Sequence, residues 1–323
     1  MLYPLKFTPI LKDKIWGGTK LNNYFDKKAK TEKLGESWEL SGYEGDESVV
    51  STGFLTGNNL TELIEVYMGD LIGDKVFDQF GLSFPLLFKL IDANENLSIQ
   101  VHPNDETAAE RHHSFGKTEM WFVLDADQGA ELIIGFKQDC SQEKYLEALK
   151  QGTVEDLLQK EKVQAGDVFF IPSGLIHAIG KGVVVAEIQE SSDITYRIYD
   201  YKRTDDQGNE RELHTDQALD VIKFEASRNP KTHYHAALNE ITSLVHCEYF
   251  NTNLIRFDLP LSRNYGLIDS FVVYMCVEGE IEIECNGEKT SLIKGETVLI
   301  PAQINEIGLI PKETSALLEV YIP

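Results

Sequence analysis

Four side chains that commonly bind metal ions lie in three short, mostly apolar segments of the 323-residue chain. Gln100 and His102 are two residues apart in LSIQVH, so a strand would place both on the same face. Glu119 follows in KTEMWF, and His177 ends GDVFFIPSGLIH. Two imidazoles, one carboxylate and one amide suit Zn²⁺, with Fe²⁺ and Mn²⁺ as alternatives. These residues are therefore predicted to form one metal site where the fold brings the segments together.

Short strands are the elements that the sequence offers to position these ligands. The apolar runs are rich in β-branched and aromatic residues and end at Gly, Pro, Asp or Asn; they cover residues 84–91, 97–102, 119–126, 130–136, 167–172 and 182–189. Many short strands with tight turns predict a mainly β sandwich or barrel. Helical patterns occur in three patches, at about 59–74, 104–113 and 141–162. The last patch is predicted to contain two short helices, the second beginning at Thr153.

A spaced frame of Gly166, Pro172 and Gly174 precedes His177. The first glycine suits a turn into a strand, and the later Pro and Gly end the strand and turn the chain. This frame resembles the second signature of the cupin superfamily, whose fold is a double-stranded β-helix, or jelly-roll, barrel. A single His in a buried strand is more often a hydrogen-bonded core residue. The frame, together with the ligand types upstream, favours a metal-binding role for His177 instead.

The same frame recurs near the end of the chain, which indicates an internal repeat. GETVLIPAQINE, which begins at Gly295, aligns with the segment that begins at Gly166, a shift of 129 residues. VYMCVE at 273–278 aligns with MWFVLD at 120–125, a shift of 153 residues. The repeat predicts two cupin barrels.

The two predicted barrels differ in their ligand positions. Residues 1–235 are predicted to form a catalytic barrel that carries the helical inserts, and residues 236–323 a second barrel. In the second copy, Glu306 stands where His177 would be and Val272 roughly where Glu119 would be. The C-terminal barrel is therefore predicted to bind no metal.

Charge and cysteine content limit the classes of partner and compartment. The formal net charge of −23 argues against nucleic acid or a membrane surface as the main partner, because both are anionic. The four cysteines show no CxxC spacing, which favours a reducing compartment. No run approaches about 18 apolar residues, and the first residues lack the apolar core of a signal peptide. A cytoplasmic protein is predicted, and the oligomeric state is left open.

Several segments together resemble the type I mannose-6-phosphate isomerase family in its short bacterial form. They are IWGG, GESWELS, FPLLFKLIDANENLSIQVHPND, GKTEMWFVL, GLIHAIG and SSDITYRIYDYKR, and they span most of residues 1–205. The resemblance implies an enzyme with one Zn²⁺ per chain that interconverts mannose 6-phosphate and fructose 6-phosphate. It assigns the zinc ligands to the four positions named above. It assigns catalytic groups to Arg197 and Lys117, and substrate-binding groups to Ser98 and Lys89.

The implied chemistry is compatible with these residue types. Aldose–ketose isomerisation moves a proton between C1 and C2 through an enediolate, which carries negative charge on oxygen. A divalent cation polarises the sugar oxygens, and an arginine such as Arg197 stabilises the charge. The group that carries the proton stays open between Lys117, a barrel carboxylate and a metal-bound water.

Less specific interpretations were weighed against this one. Arg197 alone would suit a surface salt bridge with Asp193, Asp200 or Glu190, and Lys89 could extend its ammonium group to solvent. Two other functions fit a metal-binding cupin: an oxygenase, which needs a redox metal and open coordination positions, and a sugar-binding regulator without turnover. The complete ligand set together with Arg197 favours the isomerase over both.

Overall fold

The computed structural model describes residues 1–204 and 207–323, in which antiparallel strands predominate. The strands before residue 200 are β1 (Leu5–Thr8), β2 (Ile10–Gly18), β3 (Leu34–Tyr43), β4 (Asp46–Glu47), β5 (Val49–Val50), β6 (Leu86–Ala93), β7 (Ile99–Val101), β8 (Glu119–Ala126), β9 (Glu131–Phe136), β10 (Leu158–Lys162), β11 (Val168–Ile171), β12 (His177–Ile179), β13 (Val183–Glu190) and β14 (Tyr196–Tyr199). The later strands are β15 (Lys231–Thr232), β16 (Glu240–His246), β17 (Asn251–Phe257), β18 (Leu261–Asn264), β19 (Val272–Glu278), β20 (Glu280–Cys285), β21 (Glu288–Ile293), β22 (Thr297–Ile300), β23 (Glu306–Pro311) and β24 (Ser315–Tyr321). The helices of this part of the chain are α1 (Lys20–Phe25), α2 (Leu60–Tyr67), α3 (Gly69–Ile72), α4 (Asp74–Phe80), α5 (Asp105–His112), α6 (Gln142–Gln151) and α7 (Thr215–Val221).

Two pairs of sheets form two barrels. In the first barrel the strand orders are β15-β11-β8-β13-β6-β3-β2 and β10-β9-β12-β7-β14, and Trp121 and Ile134 from the two sheets share one core. In the second barrel the orders are β16-β17-β24-β19-β22-β1-β5 and β18-β23-β20-β21, with Ile255 and Ile283 in its core. Burial of apolar side chains between the sheets stabilises each barrel. The prediction of a mainly β protein is confirmed.

The hydrogen bonds at equivalent turns confirm the internal repeat. The N–H of Gly166 donates to the carbonyl of Val123, and the N–H of Gly295 to that of Cys276, both at 2.8 Å. These pairs are related by the offsets of 129 and 153 residues that the sequence alignment predicts. The two glycines have φ of 89° and 88°, a conformation that residues with a side chain rarely adopt. The same turn therefore enters β11 and β22.

The predicted helical patches differ in outcome. The first contains α2 and α3 and the start of α4, and the second contains α5. In the third patch α6 forms, but the predicted second helix was wrong: Val154–Leu157 is one 3-10 turn, and Leu158–Lys162 is β10. Thr153 does not cap this turn with its side chain, and β10 instead pairs with β9. None of the helices in the described ranges is long and apolar enough to cross a membrane.

The N-terminal strand links the two barrels. Leu5 of β1 pairs with Leu299 of β22, and β5 pairs with the other edge of β1. The sheet of the second barrel is thus extended by strands from the first part of the chain. We propose residues 1–235 and 236–323 as the two barrel units, with β1 and β5 contributed by the first unit to the second.

Candidate metal centre and adjoining cleft

Three neighbouring strands place predicted site residues in one row across a sheet. β7 lies between β12 and β14, so Gln100 pairs with His177 on one side and with Arg197 on the other. His102 follows the end of β7, and Glu119 begins β8 in the facing sheet. Because side chains alternate along a strand, Gln100 and His102 point toward the same side. The barrel therefore gathers ligands from three separate segments.

The three ligands with His and Glu side chains form a buried cluster. One ligand atom each from His102, Glu119 and His177 lies within 4.8 Å of the others. The two ring Nε2 atoms are 3.1 Å apart, and the Glu119 oxygens are 3.6 Å and 3.4 Å from the nearest of them. Such separations approach the tetrahedral ligand spacing around zinc, about 3.3 Å for bonds of about 2.05 Å. The amide nitrogen of Gln100 is 3.3 Å from His177 Nε2, and a half rotation exchanges it for the amide oxygen.

Hydrogen bonding around the cluster shows that it fits a cation. The Nδ1 atoms of His102 and His177 are each 2.8 Å from a backbone carbonyl, so each neutral ring uses its one N–H there. The two Nε2 lone pairs therefore face each other with no hydrogen between them. Both oxygens of Glu119 are buried without a hydrogen-bond partner in the described part of the chain. A metal ion stabilises all of these acceptors together.

Burial sets the ionisation of this cluster. It lowers the pKa of His177 to about 4 and the pKa of His102 well below its ordinary value, so both rings are in the neutral form that binds metals. Burial and the charge of Glu187 raise the pKa of Glu119 to about 8, although Lys117 Nζ lies 3.5 Å from its Oε2. An ionised Glu119 thus needs more positive charge than Lys117 supplies, which a divalent cation provides when bound.

A cleft of about 240 Å³ adjoins the cluster. Its lining includes five residues predicted from the sequence: Lys89, Ser98, Gln100, Lys117 and Arg197. It also includes charged residues that the sequence analysis did not select as site residues: Lys14, Glu36, Glu187, Asp193 and Arg211. The structure thus brings together all eight predicted site residues, in the cluster or in the cleft beside it.

Arg197 lies in the cleft without an acidic partner. Its Nη1 donates to the carbonyl of Glu212 at 2.9 Å, and its Nε is buried without a hydrogen-bond partner in the described ranges. The surface salt bridge considered for this residue does not occur there. Burial and the neighbouring Arg211 lower the pKa of Arg197 from its ordinary value, and the group still remains charged. A half-buried cation of this kind favours an anion in the cleft.

Lys89 keeps its ammonium group inside the cleft wall and does not extend to solvent. Its side chain is 3% exposed, and Nζ lies 3.4 Å from Glu187 Oε1 and 5.0 Å from the centre of the Trp38 ring. Burial alone would lower the pKa of Lys89, but Glu187 and Glu36 raise it above its ordinary value. The lysine is therefore a fixed positive charge beside the metal cluster.

Glu187 is the buried cleft residue that the sequence reasoning missed. The indole N–H of Trp121 donates to Glu187 Oε2 at 2.8 Å, and the strand register puts Glu187 between Trp121 and Lys89. A local signal existed, because Glu187 interrupts the apolar run GVVVAEIQ as Lys89 interrupts FPLLFKLI. Opposite charges in two apolar runs indicate a buried pair when the two strands are neighbours.

The second barrel has other side chains at the equivalent positions. Glu306, which corresponds to His177, is exposed and accepts a hydrogen bond from Asn264 at 2.9 Å. Val272, which corresponds to Glu119, is buried and apolar. These side chains provide no equivalent ligand set in the described residues of that barrel.

Glu36 gives the cleft wall a pH dependence. Burial would raise the pKa of Glu36, but Lys89, Lys14 and the indole N–H of Trp38 lower it from 4.5 to about 2. Because the folded pKa lies below the unfolded one, Glu36 stabilises the fold above pH 4.5 and loses this contribution as the pH falls toward 2. The two values correspond to roughly 3 kcal/mol.

We therefore expect Glu36→Gln to reduce the acid sensitivity of the metal-free protein. Between pH 4.5 and pH 2 its free energy of unfolding should fall less steeply than that of the wild type. Urea unfolding at several pH values measures both slopes. Glu44→Gln, at an exposed position, is the control and should follow the wild type. Parallel curves for the wild type and Glu36→Gln would contradict the assigned pKa.

Comparisons with known proteins agree along the whole chain. A family model described as the catalytic domain of type I phosphomannose isomerase matches residues 4–140, and a model described as the mannose-6-phosphate isomerase cupin domain matches residues 240–312. The chain is similar to mannose-6-phosphate isomerase ManA of Bacillus subtilis, at 36% identity over 312 residues that cover 95% of each chain. It is also similar to mannose-6-phosphate isomerase of Streptococcus mutans, at 36% identity over 305 residues and 94% of each chain.

Solved structures share the two-barrel fold. The crystal structure of the mannose 6-phosphate isomerase from Bacillus subtilis has a TM-score of 0.87 at 32% identity and covers 99% of both chains. A variant of phosphomannose isomerase from Salmonella typhimurium has a TM-score of 0.80 at 18% identity, over 99% of this chain and 100% of that one. The predicted cupin architecture is thereby confirmed. Because a relative that is 36% identical covers 95% of it, the chain belongs to the type I phosphomannose isomerase family.

Proposed function

We propose that this chain interconverts mannose 6-phosphate and fructose 6-phosphate with one Zn²⁺ bound by Gln100, His102, Glu119 and His177. Membership of the family supports the reaction. The observation that carries the proposal is the buried cluster of two imidazoles and a carboxylate beside a cleft with five basic side chains. An anionic sugar needs both: a metal for its reacting oxygens and positive charge for its phosphate.

Zinc suits both the ligands and the chemistry. Isomerisation involves no net oxidation, so a redox-inactive cation is sufficient, and the mixed nitrogen and oxygen ligands suit Zn²⁺. When bound, Zn²⁺ would polarise the sugar oxygens and offset developing negative charge. A single cluster of His, Cys, Asp and Glu ligands in the described residues supports one ion per chain.

The remaining site residues have separate roles in this proposal. Arg197 stabilises the enediolate through a guanidinium group whose Nε has no hydrogen-bond partner in the described protein. Lys117 moves the proton between C1 and C2, since its ammonium group lines the cleft within 3.5 Å of Glu119. Ser98 and Lys89 hold hydroxyl or phosphate groups of the substrate from the cleft wall.

A cytoplasmic location and a sugar-phosphate partner complete the proposal. All four cysteines are unpaired thiols, as is usual in a reducing compartment. The negative net charge of the chain disfavours nucleic acid and membrane surfaces, so positive charge confined to the cleft would select a small anion.

A coupled assay tests the proposal on the intact protein. Mannose 6-phosphate and glucose 6-phosphate are compared before chelation, after chelation, and after addition of Zn²⁺, Mn²⁺ or Fe²⁺. We expect turnover of mannose 6-phosphate, its loss on chelation and its recovery with Zn²⁺. Equal rates with both sugars, or rates that persist after the metal is removed, would contradict the proposal. Oxygen consumption with Fe²⁺ and no isomerisation would indicate an oxygenase instead.

A further inference from the structure

We propose that Arg211 binds the phosphate group of the substrate and that Asp200 is the positioning residue that holds Arg211 in place. The inference rests on the proposed isomerase function and extends it, because it assigns the phosphate to one end of the cleft. Four features carry it: the path of the chain after β14, a buried carboxylate, the local charge and the register of β7.

The chain after β14 folds back along that strand and brings Arg211 into the cleft. β14 is an edge strand of its sheet. The N–H of Arg197 donates to His214 Nδ1 at 3.1 Å, and the N–H of His214 donates to the carbonyl of Arg197 at 2.7 Å. The side chain of Arg197 donates to the carbonyl of Glu212. Residues 211–214 therefore lie against Arg197, and both arginines line the same cleft.

A buried carboxylate fixes the guanidinium group of Arg211. Asp200 is 5% exposed and accepts hydrogen bonds from Nε and Nη2 of Arg211 at 2.7 Å and 2.6 Å. It also accepts a hydrogen bond from Arg203, which donates in turn to the carbonyl of Asn96. A two-point bond to a planar guanidinium holds it in one orientation. Arg211 is thus ordered before a ligand arrives, which reduces the entropic cost of binding.

This end of the cleft has an excess of positive charge. Three guanidinium groups, those of Arg197, Arg203 and Arg211, surround the single buried carboxylate of Asp200. The nearby carboxylate of Glu212 is 81% exposed, so water and salt screen it. The excess of two charges in this cluster matches a phosphate dianion.

The strand register separates this anion site from the metal cluster. β7 is antiparallel to β14, with Gln100 opposite Arg197. Ser98, two residues before Gln100, therefore lies toward Asp200 and its partner Arg211, and Ser98 and Arg211 line the same cleft. A sugar whose C1 and C2 oxygens are at the metal ligands would extend its C6 phosphate in this direction.

Kinetics of three variants test the assignment. Arg211→Gln should raise the KM for mannose 6-phosphate and the inhibition constant of inorganic phosphate by about tenfold or more, with a much smaller change in kcat. Arg211→Lys keeps the charge without the fork and should be intermediate. Asp200→Asn should raise KM in the same direction with metal content unchanged. Arg256→Gln, half-exposed on β17 of the second barrel, is the control and should keep the wild-type KM.

Calorimetric titration of the metal-loaded proteins with inorganic phosphate makes the result independent of turnover. If the wild type has no isomerase activity but binds phosphate, and Arg211→Gln does not, the proposed function fails and this site stands. If Arg211→Gln keeps the wild-type KM and phosphate affinity, the inference is overturned while the isomerase function stands. A wild type that binds no phosphate also overturns it. Should Asp200→Asn fail to fold, Arg211→Gln alone decides.

Discussion

His177→Gln is expected to lose its bound metal and to lower kcat by about a thousandfold or more. His177 Nε2 is one of three kinds of buried acceptor in the cluster, together with His102 Nε2 and the Glu119 carboxylate. An amide in place of the imidazole weakens the ligand set and leaves the buried Glu119 without sufficient positive charge. Mass spectrometry of the native protein measures metal content, and the coupled assay measures kcat.

The internal repeat supplies a matched control for this variant. Glu306 occupies the equivalent position in the second barrel, so Glu306→Gln should keep the wild-type metal content and kcat. Chelation should lower the thermal midpoint of the wild type, because the ion binds the folded state, and should change that of His177→Gln much less. Full metal content and activity in His177→Gln would exclude this residue as a ligand.

Arg197→Lys is expected to lower kcat by about a hundredfold to a thousandfold while metal content stays constant. Lysine keeps a positive charge but cannot present the planar set of donors that stabilises charge spread over two oxygens. Arg197 is well placed for that role, because its backbone is paired with Gln100 and its Nε has no partner in the described protein. Separate kcat and KM values at several substrate concentrations measure the effect.

Arg111→Lys is the control for this second variant. Arg111 lies on α5 and pairs with the exposed Asp220 at 2.7 Å, outside the cleft, so the substitution should leave kcat unchanged. A raised KM with wild-type kcat in Arg197→Lys would contradict the catalytic role, since it would show that Arg197 binds substrate and transition state equally.

The ligands of the metal cluster could be predicted from the sequence because each one carries a local signal. Gln100 and His102 alternate on one short strand, and the glycine–proline frame identifies His177. Lys89 was also predictable, because a charged side chain in an apolar run needs a partner or a function. The spacing of the glycine frames likewise predicted the repeat, since the same turn must precede both β11 and β22.

Other features depend on contacts between distant segments and had no such signal. Arg211 has no periodicity around it and reaches the cleft only because the chain folds back along β14. Glu187 gains its meaning from its register opposite Lys89. Leu158–Lys162 reads as helical by composition but becomes a strand through pairing with β9. In each case tertiary structure decides what local sequence does not.

The pairing of β1 with β22 has a consequence for how the protein is made. Residues 5 and 6 leave the ribosome early, whereas their partners at positions 299 and 298 are among the last to be synthesised. At bacterial or eukaryotic elongation rates this interval is about 15 to 60 s. The sheet of the second barrel therefore closes after nearly all of the polypeptide has emerged, and a nascent chain interrupted before residue 297 retains an unpaired N-terminal edge.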